Sequence, residues 1–234
     1  MRNIRLLQLG QENNTALGNL ALILSRVQTA YGVAFEDDIV DAASLTPRSN
    51  GQYSIRDLEE AVMRYMRAHE YAEYPIAVTG LPLEDMIAST ADSSIALLST
   101  HDWQNFSKFP VIKGLEFLIG GALLDMHEIS VVHYDTKGCP NDFCDNRADI
   151  DVGIRKSELC HACRTALLSA LEKGGLTLQD AIAIYRILDD VAERKVCFVL
   201  MPFRPEFAKP YEVIRESVES AGELHPCVWT VSLE

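Results

Sequence analysis

The sequence lacks a long apolar run, and it is short of positive charge. No stretch of about 18 consecutive apolar residues occurs, so no membrane span is expected. Lysine and arginine number 21 against 34 acidic residues, which gives a net charge of −13. A phosphate backbone would be repelled by such a surface. These two deficits predict a protein that binds neither membranes nor nucleic acids.

A secretory signal is also missing from the N-terminal stretch MRNIRLLQLGQENN, whose apolar part is too short and is broken early by polar residues. We therefore expect a cytoplasmic protein whose thiols stay reduced. Of the 234 residues, 48% are hydrophobic, which is enough for a sizeable core. In a reducing compartment, clustered cysteines favour a metal site over disulfides.

The order of predicted elements indicates an α/β (α+β) fold. Buried strands are predicted in IRLLQLG, VAFEDDIVD, YPIAVTG, SSIALLST and EISVVHYD. Helical periodicity is found in TALGNLALILSRVQTAYG, SIRDLEEAVMRYMRAH, VIKGLEFLIGGALLDM, HACRTALLSALEKGG and TLQDAIAIYRILDDVAERK. Ser54 with Asp57, and Thr177 with Asp180, stand at the spacing of helix capping boxes.

Four of the six cysteines fall in one segment with the spacing Cys139-x4-Cys144-x15-Cys160-x2-Cys163. Zinc favours four such ligands in a tetrahedron, and this closed arrangement is typical of structural sites. We predict one structural Zn²⁺ per chain on these four cysteines. Unligated buried thiols and an iron–sulfur cluster are the alternatives. His161 inside the last pair is either a substitute ligand or, as we favour, a solvent-exposed side chain that binds no metal.

Residues 1–165 resemble the archaemetzincin-type metallopeptidases. CPNDFC and CHAC match the spacing of that family's second, structural zinc site, and IAVTGLPLED is similar to its strand that ends in threonine. The resemblance implies a metzincin-like mixed sheet with helices and a zinc loop built on four cysteines. It also implies a catalytic helix with the motif HExxHxxGxxH, whose third histidine directly precedes the first cysteine.

The chain departs from that family at the catalytic motif. It contains no HExxH, the helix LEFLIGGALL has no histidine, and Gly138 stands where the third histidine belongs. A zinc peptidase needs two imidazoles one helical turn apart and an open position for water. An atypical site would have to use the candidates His127, Glu128, His133 and Asp135. The plainer interpretation is that His133 and Asp135 brace the cysteine loop.

A second histidine–carboxylate pair, His101 and Asp102, follows the predicted strand IALLST and precedes Trp103. Such a pair at the end of a strand either lies in a cleft or forms a turn capped by the aspartate.

The C-terminal stretch VCFVLMPFRPEFAKPYEVIRESVESAG resembles the opening of nucleoside 2-deoxyribosyltransferase-like and TIR-like domains. The resemblance implies a nucleotide near four residues, Met201, Pro202, Phe203 and Arg204, with the phenylalanine stacking and the arginine meeting a phosphate. One β-α-β unit cannot bury both faces of its sheet, so a protein partner or a further C-terminal domain is expected. Cys197 and Cys227 are predicted to be buried on neighbouring strands, with a redox pair as the alternative.

These observations divide the chain into a metallopeptidase-like domain (1–173), a connecting helix (174–194) and a partial nucleotide-binding-like unit (195–234). The favoured function is a non-catalytic sensor, adaptor or regulatory module, placed in bacterial stress or defence signalling by analogy alone. One alternative is a zinc-dependent peptidase or hydrolase with an atypical site. Another is a fragment of a nucleoside- or NAD-processing enzyme.

Overall fold

The computed structural model describes residues 2–10, 14–42, 44–129, 131–144, 146–192, 195–198 and 224–227. The chain forms two compact units, Met1–Ala192 and Glu193–Glu234. No helix within the described ranges is long and apolar enough to cross a membrane.

The described residues of the first unit form five strands and seven α-helices. The strands are β1 (Arg2–Leu9), β2 (Tyr31–Val40), β3 (Tyr74–Thr79), β4 (Ser89–Ala91) and β5 (Ala96–Ser99). The helices are α1 (Asn14–Val27), α2 (Ile55–Ala68), α3 (Trp103–Phe106), α4 (Val111–Met126), α5 (Ile150–Lys156), α6 (His161–Glu172) and α7 (Leu178–Val191).

The five strands form one mixed sheet in the order β2-β1-β3-β5-β4. Neighbours are parallel except at the edge, where β4 runs antiparallel to β5. Side chains alternate across β1, so Ile4 and Leu6 pack with α1 and α4, whereas Leu7 and Leu9 pack with α2 on the other face. The predicted α/β fold with a mixed sheet is confirmed.

Helix α4 lies unusually close to its neighbours because it carries glycines at the contacts. A Cβ added to Gly114 would lie 1.8 Å from the ring of Trp103, and one on Gly120 would lie 2.5 Å from Leu188 of α7. A Cβ on Gly121 would lie 3.1 Å from the carbonyl oxygen of Pro140 in the cysteine loop. The glycines that weaken the helix in isolation therefore permit its packing in the fold.

The segment EISVVHYD is not a strand, and that prediction was wrong. Helix α4 ends at His127, Glu128 adopts a left-handed conformation (φ 58°), and the Ile129 N–H donates to the Leu124 carbonyl at 2.9 Å. The chain thus turns back onto the helix, and no neighbouring strand among the described residues is in place to pair with the valines. A single bridge joins His133 to Asp142 within the loop.

The two predicted helix caps had different outcomes. Thr177 and Asp180 form a complete capping box at the start of α7, as predicted. Ser54 precedes α2, but its side chain makes no capping hydrogen bond. The carboxylate of Glu84 accepts instead from the Ile55 N–H at 3.2 Å, so a residue distant in sequence performs the capping.

The described residues of the second unit form two short parallel strands, β6 (Lys195–Phe198) and β7 (Leu224–Cys227). Their register places Cys197 opposite Pro226 and Phe198 opposite Cys227. The helix expected between the strands and the predicted nucleotide-site residues Met201, Pro202, Phe203 and Arg204 lie outside the described residues. Parallel pairing is what the predicted β-α-β unit requires.

We expect Gly114→Ala to destabilise the protein by roughly 2–3 kcal/mol, because the added methyl group overpacks the contact with Trp103. Gly18→Ala in α1 is the matched control, since its Cβ would meet only Phe35 at an ordinary 3.8 Å. That change should stabilise the protein by about 0.5–1 kcal/mol. Chemical denaturation of both variants measures the effects, and equal stability would contradict the close packing of α4.

Candidate metal centre

One metal-ligating cluster lies in the described part of the chain. The ligand atoms of His133, Cys139, Cys160 and Cys163 all lie within 4.8 Å of one another. The His133 Nε2 atom is 3.0 Å from the Cys160 sulfur and 3.2 Å from the Cys163 sulfur, while the sulfurs of Cys139 and Cys163 are 3.6 Å apart. Such separations fit the corners of a tetrahedron around an ion about 2.3 Å from each sulfur.

The last two cysteines are positioned by the start of helix α6. Cys160 is the N-cap residue, and its sulfur accepts from the Cys163 N–H at 3.5 Å. Positive charge at a helix N-terminus favours a thiolate there. Cys163 lies inside the first turn and is fully buried, so the helix start brings both sulfurs to the cluster.

Cys139 is positioned by the glycine before it. Gly138 has a φ of +87°, which non-glycine residues rarely adopt, and a Cβ there would lie 2.7 Å from the side chain of Lys156. The fold therefore needs glycine at position 138, where the resemblance to archaemetzincin-type peptidases would imply a zinc-binding histidine.

A carboxylate holds the turn around Cys139. The Asp142 Oδ2 atom accepts from the backbone N–H groups of Lys137 and Gly138 at 2.6 Å and from that of Cys139 at 3.0 Å. The neighbouring Asn141 amide donates to the Ile129 carbonyl at 3.1 Å and to the Cys163 sulfur at 3.5 Å. These bonds hold the backbone of the loop around Cys139.

The thiols of the cluster differ in acidity. Burial raises the pKa of Cys139, and burial together with the charges of the other two sulfurs raises the pKa of Cys163 further. Burial also opposes ionisation of Cys160, but hydrogen bonds from Cys163 and the Ala162 N–H outweigh it and lower its pKa. One thiolate thus forms readily, whereas three together require a cation, so the donor set fits the predicted Zn²⁺.

His133 lies where Cys144 was predicted to lie. From the sequence we expected Cys144 to be the fourth ligand and His133 to brace the loop. Cys144 is outside the cluster, however, and its sulfur is 3.8 Å from the Asp142 carbonyl oxygen. Cysteine spacing alone could not identify His133, because the non-helical turn after α4 is what directs its ring at the sulfurs. We therefore propose a ligand set of three cysteines and one histidine.

The catalytic candidates do not come together. Arg2 donates to His127 Nδ1 at 3.1 Å, and His127 Nε2 is 2.9 Å from the Tyr31 hydroxyl, so both ring nitrogens are engaged away from the cysteines. Burial, reinforced by Arg2, lowers the pKa of His127. Two further candidates are exposed, Glu128 and Asp135, and the second of them faces Lys137 at 3.8 Å. The substitute ligand His161 is exposed on α6 and is not part of the cluster.

Comparison with solved structures identifies the fold. A zinc-dependent peptidase from Methanocorpusculum labreanum matches 70% of this chain and 99% of its own, with a TM-score of 0.53 and 18% identity. The chain has a zinc-peptidase-like fold. Archaemetzincin from Archaeoglobus fulgidus, solved with malonate, gives a TM-score of 0.47 and 16% identity over the same shares of the two chains. No protein-family model and no curated protein matches the sequence.

We expect Cys144→Ser to retain one zinc per chain, because its sulfur is outside the cluster. His133→Ala should lower zinc affinity at least about tenfold, and Cys160→Ser is the positive control for loss of a ligand. Competition with a chromophoric chelator measures the affinities, and the Co²⁺ spectrum reports the number of thiolate ligands. A Cys144→Ser protein that loses a thiolate ligand would restore the assignment of four cysteines.

We expect Asp142→Asn to weaken zinc binding roughly 10–100-fold, because the carboxylate accepts three backbone N–H groups around Cys139. Asp135→Asn is the matched control, since that exposed side chain makes only a 3.8 Å ion pair with Lys137. The same chelator competition measures both variants. Equal affinities would show that the turn forms without the Asp142 carboxylate.

Proposed function

We propose that this chain is a zinc-stabilised, non-hydrolytic recognition module with a zinc-peptidase-like fold. The observation that carries the proposal is the composition of the metal cluster, in which His133, Cys139, Cys160 and Cys163 supply four protein ligands. Four ligands complete a tetrahedral shell around zinc. A hydrolytic zinc needs a position for water, and this set leaves none.

Helix α4 supports the same conclusion. Leu115, Ile119 and Leu123 are fully buried and fill the core that α4 shares with α1 and α7. The one carboxylate in this part of the helix, Glu116, is also buried and binds Lys113 at 3.0 Å. The helix is thus committed to packing and presents no imidazole to solvent.

A groove beside the metal loop gives the module a recognition surface. It is bounded by the edge strand β4, by α4 and by the loop around Pro140. Its rim includes Val132 and Phe143, which are exposed, and Tyr134 packs near Phe143 with ring centroids 6.0 Å apart. An edge strand beside an apolar groove suits an extended polypeptide that adds a strand to the sheet. The partner we propose is therefore a peptide segment of another protein.

The zinc site contributes to this groove indirectly. Pro140 and Phe143 belong to the same short turn as Cys139, and Asn141 of that turn also contacts the Cys163 sulfur. Metal binding is folding energy for such a loop. Zinc would then stabilise one wall of the groove, and its loss would remove the recognition surface, which is how a sensor or adaptor could respond to metal.

The peptidase alternative would need His127 and His133 to bind one metal ion, but the two side chains have separate partners. His127 is held by Arg2 and Tyr31, whereas His133 faces the sulfurs of Cys160 and Cys163. The nucleotide alternative rests on residues 201–204, which lie outside the described residues, and no observation supports it.

We expect the purified protein to contain one zinc per chain and to leave casein intact. Metal analysis measures the stoichiometry, and release of acid-soluble peptides measures hydrolysis. A second zinc accompanied by chelator-sensitive turnover would overturn the non-hydrolytic assignment.

Peptide recognition is tested separately by selecting a random heptapeptide library on the zinc-loaded protein. Changing Val132 and Phe143 together to serine should abolish binding of the selected peptides without lowering stability, because both side chains are exposed. Leu178→Ser on α7 is the matched control, since it also removes an exposed apolar side chain. Binding that survives the double change, or no selected peptides at all, would contradict the groove.

A further inference from the structure

A cleft of about 600 Å³ opens at the carboxyl ends of the parallel strands, on the face covered by α1 and α4. It shares no residue with the metal cluster or with the groove beside β4. Strand β1 lies at the point where the sheet order reverses, because β2 pairs on one side of it and β3 on the other. Ligands of α/β proteins bind in the crevice outside the strand ends at such a point.

The floor of the cleft contains a polar residue where the sheet pattern calls for an apolar one. Ile4 and Leu6 of β1 face the core between α1 and α4, and Gln8 continues that alternation while only 2% exposed. Gln8 pairs in register with Val78 of β3, which also lines the cleft. No hydrogen bond joins the Gln8 amide to any other described residue. A buried amide normally has a partner, and the open side of this one is the cleft.

The chemistry of the lining selects a class of ligand. Leu17, Val78 and Leu115 give an apolar surface beside Gln8. The rim carries Asp102 and the neighbouring amide side chains of residues 104 and 105. No lysine or arginine lies among the described lining residues, although the guanidinium of Arg147 is close enough to interact with Asp102. The carboxylate of Asp102 at the rim therefore favours a cationic ligand over a phosphate or carboxylate.

We propose that this cleft binds a small amphipathic amine. Its amino group is held by the Asp102 carboxylate at the rim, its apolar body packs on the leucine and valine side chains, and a neutral polar group at its other end bonds the Gln8 amide. The volume suits a ligand of this kind, since small-molecule sites typically measure about 300–1,000 Å³. Of the His101–Asp102 pair, Asp102 lines the cleft, and its carboxylate lies 3.4 Å from the Nε2 atom of His101.

Tyramine is the probe that tests the proposal, because it has an amine, an aromatic body and a neutral hydroxyl. Backbone amide NMR of the full, zinc-loaded chain should show tyramine shifting the signals of Gln8, Thr100 and Gln104 at millimolar concentration. Tyrosol, which replaces the amine by a hydroxyl, and 4-hydroxyphenylacetate, which replaces it by a carboxylate, should bind at least about tenfold more weakly. No shifts at the cleft, or equal binding of the carboxylate analogue, would overturn the proposal.

Two variants test separately the contacts that hold the two ends of the ligand. Asp102→Asn should weaken the binding of tyramine roughly tenfold and leave the binding of tyrosol unchanged, because only tyramine carries a positive charge. Gln8→Leu should weaken tyramine several-fold but leave phenethylamine, which lacks the hydroxyl, unchanged. Gln179→Leu on the exposed face of α7 is the control for the second change. Thermal melts check that the variants are folded. An unchanged affinity for tyramine in both folded variants would refute the site.

Discussion

Mutual repulsion among buried sulfurs is the constraint on which the metal loop depends. Cys139, Cys160 and Cys163 are brought close together by the fold, and burial raises the pKa of Cys139 and of Cys163, whereas hydrogen bonds lower that of Cys160. A divalent cation favours the thiolate forms, and the imidazole of His133 completes the shell without adding a fourth negative charge. The Asp142 carboxylate supports this arrangement, because it accepts three backbone N–H groups and so holds the turn around Cys139. The shape of the adjoining groove follows from the same turn.

Elements with strong local signals could be predicted from the sequence. Helix α4 has the predicted bounds, because its long apolar stretch starts after Pro110 and ends where His127 breaks the pattern. The capping box at Thr177 was also predictable, since both partners lie within four residues of each other. The cysteine spacing indicated a metal because two close pairs can reach one ion. In each case the physical cause lies within a short stretch of chain.

Features that depend on distant residues could not be predicted in this way. The cap of α2 comes from Glu84, which is 29 residues beyond the Ile55 N–H that it binds. The segment after α4 has strand-forming residues, but strand formation needs a neighbour, and the sheet ends elsewhere. The place of His133 in the metal cluster also depends on more than local sequence, because the turn at Glu128 determines where the chain carries this residue. Gln8 belongs to a strand predicted to be buried, and only the assembled sheet places it under a cleft.

Helix α4 is packed against its neighbours at three glycines, and almost no free volume remains around them. Trp103 and Pro140 contact one face of the helix and Leu188 an adjacent one, at positions where even a methyl group would collide or crowd. An imidazole ring at any of these glycines would therefore require the neighbouring side chain or loop to move. Substitutions at exposed positions meet no such obstacle, so a new binding surface is a smaller change for this fold than a hydrolytic centre built at these positions of α4.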